Sequence, residues 1–207
     1  MSLEKLHVAV IQCNSSENWE INFTQIEALI SQLPDPTDLI VLPESAFYRG
    51  HQRREYSINL RDKHPLLEKL RSLTKKRKGW ILAGTVLEEH PSRRYFQTSI
   101  LLNRKGEIVA LYRKTHLFRV TLEDGTIIDE QLFYSPGNEY ILVEIDGWHA
   151  GLSICYDLRF PEIFRSYRKA GAEIFLLVAN FTQGNSPDHW ITLNRARAIE
   201  NQCFMVS

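Results

Sequence analysis

A cysteine, a lysine and a glutamate each follow an apolar run in this chain: Cys155 ends HAGLSIC, Lys114 follows IVALYR, and Glu44 follows DLIVL and Pro43. Such runs read as buried strands. In layered α/β sheets, ligands bind at the carboxyl ends of strands. The three types are chemically complementary. A carboxylate can take a thiol proton and later deliver it to a leaving amine, while an ammonium stabilises both the thiolate and a negative tetrahedral intermediate. Each residue also has a plainer reading, since a cysteine is usually a small buried hydrophobe and a charge after a strand is usually solvated. Cys13 and Cys203 lie in apolar strands and keep that plainer reading. Cys155 differs because Pro161 soon opens a helix. A strand-to-helix turn can hold a cysteine near backbone N–H groups and a helix dipole, which favour the thiolate. This has the logic of a nucleophile elbow, although G-x-S-x-G is absent. A papain-like thiol hydrolase would need a histidine partner instead, with His116, His149 and His189 as the candidates.

Those positions require alternating strands and helices. Leu6 to Cys13 reads as a buried strand. Asn18 to Leu33 reads as a helix with Trp19, Phe23, Ile26 and Ile30 on one stripe, stopped by Pro34 and Pro36. Asp38 to Leu42 is a short apolar strand, and residues 45 to 63 read as an irregular surface loop. Pro65 opens a second helix with Leu66, Leu67, Leu70 and Leu73 inward. Lys75 to Lys78 closes it, complementing the dipole; a nucleic-acid patch is the sharper alternative for this isolated run. Gly79 to Glu88 reads as one strand. Ser99 to Asn103 pairs with Glu107 to Arg113 as a hairpin, and Glu139 to Ile145 with Trp148 to Cys155 around Asp146-Gly147. A helix from Pro161 buries Ile163, Phe164 and Tyr167 and stops at Gly171. Glu173 to Asn180 is a strand, Ser186-Pro187 opens a helix to about Asn201, and Cys203 to Ser207 starts another strand. Strands mixed with helices and hairpins imply α/β or α+β layers on mixed sheets.

Three segments carry a resemblance: Leu42-Pro43-Glu44-Ser45, the run Tyr112 to Phe118 (YRKTHLF), and the run Gly151 to Glu162 (GLSICYDLRFPE). With His189-Trp190 and Arg195 to Gln202 (RARAIENQ), they resemble the nitrilase, or carbon–nitrogen hydrolase, superfamily from about residue 6 onward. The resemblance implies a single domain over 1–207, built as a four-layer α-β-β-α sandwich. It also implies a Glu44–Lys114–Cys155 triad, with Glu130 as a supporting glutamate placed by its spacing to Ser135-Pro136-Gly137; the alternative for Glu130 is an exposed loop carboxylate. The implied reaction is attack of Cys155 on an amide, with the oxyanion held by Lys114 and the backbone N–H of Tyr156. Ammonia leaves with a proton from Glu44, and water then releases the acid from a thioester. The motifs look most like the small-amide branch, ω-amidase-like and deaminated-glutathione-amidase-like, acting on compounds such as 2-oxoglutaramate. N-carbamoyl compounds and nitriles are the alternatives. Tyr48, Tyr156, Arg159, Phe181 and Thr182, with Phe47, are the expected substrate-binding residues. Asp157 and Arg159 read first as a structural ion pair, and second as a site for a substrate carboxylate.

Relatives with these motifs continue through further strands, so the resemblance implies a sheet lacking its C-terminal strands after Ser207. A catalytically impaired remnant or an interaction module of the same fold is therefore the competing expectation. The implied partners are a small amide and a second copy of the chain, with no cofactor. Composition adds exclusions. Lys and Arg total 25 against 25 Asp and Glu, so no basic excess points to nucleic acid. Apolar runs such as Ile174 to Ala179 are far too short to cross a bilayer, and Met1 to Lys5 lacks a signal-peptide pattern. Three cysteines without a C-x-x-C pair argue against disulfides and structural zinc, giving a cytoplasmic expectation. The seven histidines form no metal-binding helix pattern.

Overall fold

The computed structural model describes residues 5–50, 52–92, 94–122, 124–181 and 186–207. In chain order the elements are β1 (Val8–Val10), α1 (Trp19–Ser31), β2 (Leu39–Val41), β3 (Ser57–Ile58), α2 (Pro65–Arg77), β4 (Trp80–Leu82), β5 (Val86–Glu89), β6 (Tyr95–Leu102) and β7 (Ile108–Arg113). There follow β8 (Arg119–Thr121), β9 (Ile127–Asp129), β10 (Leu142–Ile145), β11 (Trp148–Ile154), α3 (Pro161–Lys169), β12 (Ile174–Val178), α4 (Ser186–Asn201) and β13 (Phe204–Val206). The first main sheet has the order β1-β2-β4-β6-β5-β3, with β7 also paired to β6. The second has the order β10-β11-β12-β13. Both are mixed: β1, β2 and β4 run parallel, β6 is antiparallel to its neighbours, and β11–β12–β13 are parallel after an antiparallel hairpin.

The period-2 alternation of strand side chains builds the layers. Leu39 and Val41 of β2 pack with Leu152 and Ile154 of β11, so they face the other sheet. Their neighbours Ile40 and Leu42 pack with Phe23, Ile26 and Ile30 of α1 and with Leu66, Leu70 and Leu73 of α2. On the far side of the second sheet, α3 contributes Ile163, Phe164 and Tyr167. The result is helices, sheet, sheet, helices: an α-β-β-α sandwich. All five residues of β12 are buried, as a central parallel strand covered on both faces requires.

Local chemistry sets the element ends. The Asn18 side chain accepts from the backbone N–H groups of Glu20 and Ile21, capping α1. Pro65 begins α2, and Lys78 ends it in a left-handed conformation at φ 52°. Asp146 (φ 49°) and Gly147 (φ 89°) turn the β10–β11 hairpin. Expectation and structure differ at several elements. The single strand expected over Gly79 to Glu88 is two, broken at Gly84 (φ +55°), where an added Cβ would lie 2.0 Å from the Pro43 carbonyl oxygen. The stretch 45–63 is not wholly surface: Ala46, Phe47 and Ile58 are buried, and Ser57–Ile58 pairs with β5. The β8–β9 hairpin carried no apolar signal strong enough to anticipate, because its sides are largely exposed. No helix among the described residues is long and apolar enough to cross a membrane.

Candidate active site

Lys114 follows the last residue of β7 and is buried to 1% exposure. An ammonium so placed must be paired. Its Nζ lies 2.9 Å from Glu130 Oε1 and 3.2 Å from Glu44 Oε1. Glu44 follows β2 and Pro43, and its other oxygen accepts from the backbone N–H of Asn180 at 2.9 Å. Glu130 begins a 3-10 turn after β9, and its Oε2 accepts from the backbone N–H of Phe118 at 2.7 Å. Cys155 follows β11 and opens another 3-10 turn, Cys155–Arg159, at φ 47°. That left-handed conformation is uncommon for a non-glycine residue and turns the chain sharply at the strand end. The thiol interacts with Glu44, with Lys114 and with the backbone N–H of Asn180. Thus the glutamate and lysine from the ends of two strands of the first sheet meet a cysteine from the end of a strand of the second. Glu130, read from spacing, joins them, so the exposed-loop alternative does not hold.

The charges decide the resting protonation. Burial alone would depress the Lys114 ammonium, but Glu44, Cys155 and Glu130 outweigh it and hold Lys114 above its ordinary value. Burial raises the Glu130 carboxyl, with Lys114 and the Phe118 N–H pulling it back. Burial and then the charge of Glu44 push the Cys155 thiol well above its ordinary value, against the opposing pull of Lys114 and the Asn180 N–H. The expected position of Cys155 at a helix N-terminus is corrected. The 3-10 turn separates Cys155 from α3, and two carboxylates beside one ammonium disfavour a further anion. Beside the sulfur stand the Glu44 side chain, the Lys114 ammonium and the Asn180 backbone N–H.

The expected substrate-binding residues are placed less uniformly. Phe181 and Glu44 line one cavity of about 570 Å³ with Trp190. Arg159 sits nearby, its guanidinium carbon 5.9 Å from the Phe181 ring centroid and 5.8 Å from that of Tyr156. Tyr48 is not at that cavity; its ring stacks on Tyr56 at 4.1 Å and lines a separate small pocket with Trp19 and His64. Phe47 is core, stacked near Phe23. Thr182 lies outside the described residues. The expected Asp157–Arg159 ion pair is absent. Asp157 is fully buried and bonds instead to Tyr112, Thr115, His116 and the Ile154 N–H, while the Arg159 guanidinium lies 3.4 Å from His189 Nδ1. Among the described residues no carboxylate pairs with Arg159. Sequence reasoning also missed the Asn180 N–H. The signal was present in its place two residues after the end of strand β12, but a backbone group has no side-chain type to read. Among the described residues, no group of three or more His, Cys, Asp or Glu side chains is arranged to hold a metal.

Comparison with known proteins gives the family and the fold. The carbon-nitrogen hydrolase family model matches residues 7–207. A deaminated glutathione amidase of Yersinia enterocolitica is 34% identical, over 99% of this chain and 73% of its own length. The omega-amidase NIT3 of Saccharomyces cerevisiae is 32% identical, over 98% of this chain and 73% of its own. Among solved structures, the Caenorhabditis elegans NitFhit protein superposes with a TM-score of 0.86 at 32% identity, covering 96% of this chain and 50% of that one. Saccharomyces cerevisiae Nit3, a member of branch 10 of the nitrilase superfamily, superposes at 0.82 and 30% identity, covering 97% of this chain and 73% of its own.

Proposed function

The chain belongs to the carbon–nitrogen hydrolase family, and from that premise we propose that it hydrolyses a small, carboxylate-bearing primary amide to acid and ammonia. The observation that carries this reading is the buried Lys114 ammonium held between Glu44 and Glu130 beside the Cys155 thiol. As the Cys155 sulfur attacks the amide carbon, its proton passes to Glu44. The carbonyl oxygen becomes an oxyanion, stabilised by the Lys114 ammonium and the backbone N–H of Tyr156. Glu44 then protonates the amide nitrogen, the C–N bond breaks, and ammonia leaves a thioester on Cys155. Glu44 next takes a proton from water as its oxygen attacks the thioester. Collapse releases the acid and returns the proton to sulfur. Glu130 keeps Lys114 aimed at the oxyanion.

Arg159 is the proposed partner for the substrate carboxylate, since it lies by Phe181 and Tyr156 without an acidic partner among the described residues. The names of the relatives, an omega-amidase and a deaminated glutathione amidase, support an ω-amide such as 2-oxoglutaramate as first substrate. The test is ammonia release across ω-amides, N-carbamoyl compounds and nitriles. Release from the ω-amides is expected, with Cys155→Ser lowering kcat by more than about 10³-fold. A folded protein that releases nothing from any of them contradicts the proposal and favours a fold retained for interaction.

A further inference from the structure

Asp157 is fully buried, titratable and unused by the reaction described above. Its surroundings are unusual in what they join. Oδ2 accepts from the backbone N–H of Ile154 at 2.8 Å, one residue before Cys155, and from the Tyr112 hydroxyl at 2.7 Å. Oδ1 accepts from the backbone N–H of His116 at 3.0 Å and from the Thr115 hydroxyl at 3.1 Å, the two residues after Lys114; His116 Nδ1 also lies 2.8 Å from it. One oxygen therefore holds the backbone that leads into Cys155. The other holds the backbone that leaves Lys114. These belong to different sheets, and no β-ladder pairs β7 with β11. The His116 ring is itself fixed by stacking on Phe160 at 3.8 Å, within the loop between the Cys155 turn and α3.

We propose that Asp157 is a positioning residue that clasps the Cys155 turn to the Lys114 strand across the junction of the two sheets. The inference rests on the reading of Cys155 as nucleophile. Its physical content is that sulfur and ammonium, anchored on separate sheets, would otherwise sample a range of separations. A misplacement of about 1 Å in such a site can lower the rate by about 10²-fold. The backbone bonds make the clasp specific to a carboxylate. In Asp157→Asn the amide NH2 must replace one oxygen. Placed at Oδ2 it faces the Ile154 N–H, and placed at Oδ1 it faces the His116 N–H, so either orientation sets donor against donor. One half of the clasp opens in each case.

The experiment compares Asp157→Asn with the wild type, once cooperative unfolding has shown the variant folded. Two readouts are taken. One is the pH profile of Cys155 alkylation by iodoacetamide, resolved by peptide mass spectrometry with Cys13 and Cys203 as internal references. The other is kcat and KM on an ω-amide. The groups facing this region are Glu44 and Lys114 at the sulfur, Glu130 at Lys114, and Tyr112, His116 and the more distant Tyr167 at Asp157. With Lys114 no longer held at the sulfur, the Cys155 profile is expected to move to higher pH while those of Cys13 and Cys203 stay fixed, and kcat is expected to fall by about 10²-fold with a smaller change in KM. A folded Asp157→Asn with the wild-type alkylation profile overturns the proposal. If that variant does not fold, the double variant Thr115→Val/His116→Phe removes both side-chain contacts to Oδ1 on the Lys114 side and leaves the His116 backbone N–H alone there; a smaller shift of the same sign supports the clasp and an unmoved profile overturns it. Alkylation needs no substrate, so a wild type inactive on every amide would sink the functional reading and leave this test intact.

Discussion

Removing the Lys114 ammonium would leave Glu44 and Glu130 buried side by side without a counter-charge. Lys114→Met is expected to cost about 3–5 kcal/mol of stability, the usual consequence of breaking a buried ion pair from one side. The lower end fits best, because the Glu130 side chain keeps 18% exposure and can take a proton. Urea denaturation measures the loss, and the double variant Glu44→Gln/Lys114→Met is expected to recover part of it; a single variant as stable as the wild type would mean that the two carboxylates do not depend on Lys114. At this scale the sequence was a good guide to residue types. Glu44, Lys114 and Cys155 announce themselves because each chemical type follows an apolar run. Asp157 was misread because the nearest cation along the chain is Arg159, whereas its real partners Tyr112, Thr115 and His116 come from a strand end 41 to 45 residues earlier. Such contacts depend on how two sheets face each other, which local spacing does not encode. Tyr48 was misplaced for the same reason: a tyrosine near Glu44 in sequence sits in a different pocket.

The elements that carry these residues depend on a few backbone positions with no freedom to change. Gly84 is the clearest, since it combines a positive φ with a backbone contact against Pro43, the residue before Glu44. Gly84→Ala is expected to cost at least about 1–3 kcal/mol from backbone conformation alone. It should also lower kcat, because relief of the clash moves the Pro43–Glu44 segment; wild-type kcat in a folded Gly84→Ala would contradict that link. By contrast, Asn18→Ala removes the α1 cap, which should cost about 1 kcal/mol with unchanged activity, as α1 packs against the outer face of the first sheet. Helices were the most legible elements, because Pro65, Pro161, the Pro34 and Pro36 stop after α1 and the leucine spacing of α2 are all local signals. Strand breaks were less legible. The interruption at Gly84 is imposed by the close approach of Pro43, and an apolar run cannot reveal which backbone it will meet.

Across the whole molecule, the two sheets are also tied at a second place. Arg104, in the β6–β7 turn, bonds to Asp38 ahead of β2 at 2.7 Å and to Asp146 of the β10–β11 turn at 2.5 Å. Trp80 adds a bond from its indole N–H to Asp146 at 3.0 Å. This clamp lies at the start of β7, whereas Lys114 lies after its end. Arg104→Met is therefore expected to cost about 1–2 kcal/mol, limited by the partial exposure of Arg104, with kcat unchanged; loss of kcat without loss of stability would reverse that assignment. Stability should also fall at alkaline pH. Burial raises Cys155 well above its ordinary 9.0, and Tyr112 and Tyr167 above 10.0. The folded chain thus keeps protons that the unfolded chain releases. The stabilisation is fully present below about pH 9 and is lost as pH rises from there through the raised folded values. Cys155→Ser should flatten the early part of that decline in urea titrations, and an unchanged slope would show that the sulfur is not held as a thiol.

The proposed reaction would leave one covalent trace, an acyl group on the Cys155 sulfur. Acid-quenched protein, sampled during turnover of 2-oxoglutaramate and weighed by mass spectrometry, is expected to carry the substrate mass less ammonia, located on the peptide that contains Cys155. Turnover with the adduct on any other residue, or ammonia release that persists in Cys155→Ala, would contradict a nucleophilic Cys155 served by Glu44 and Lys114.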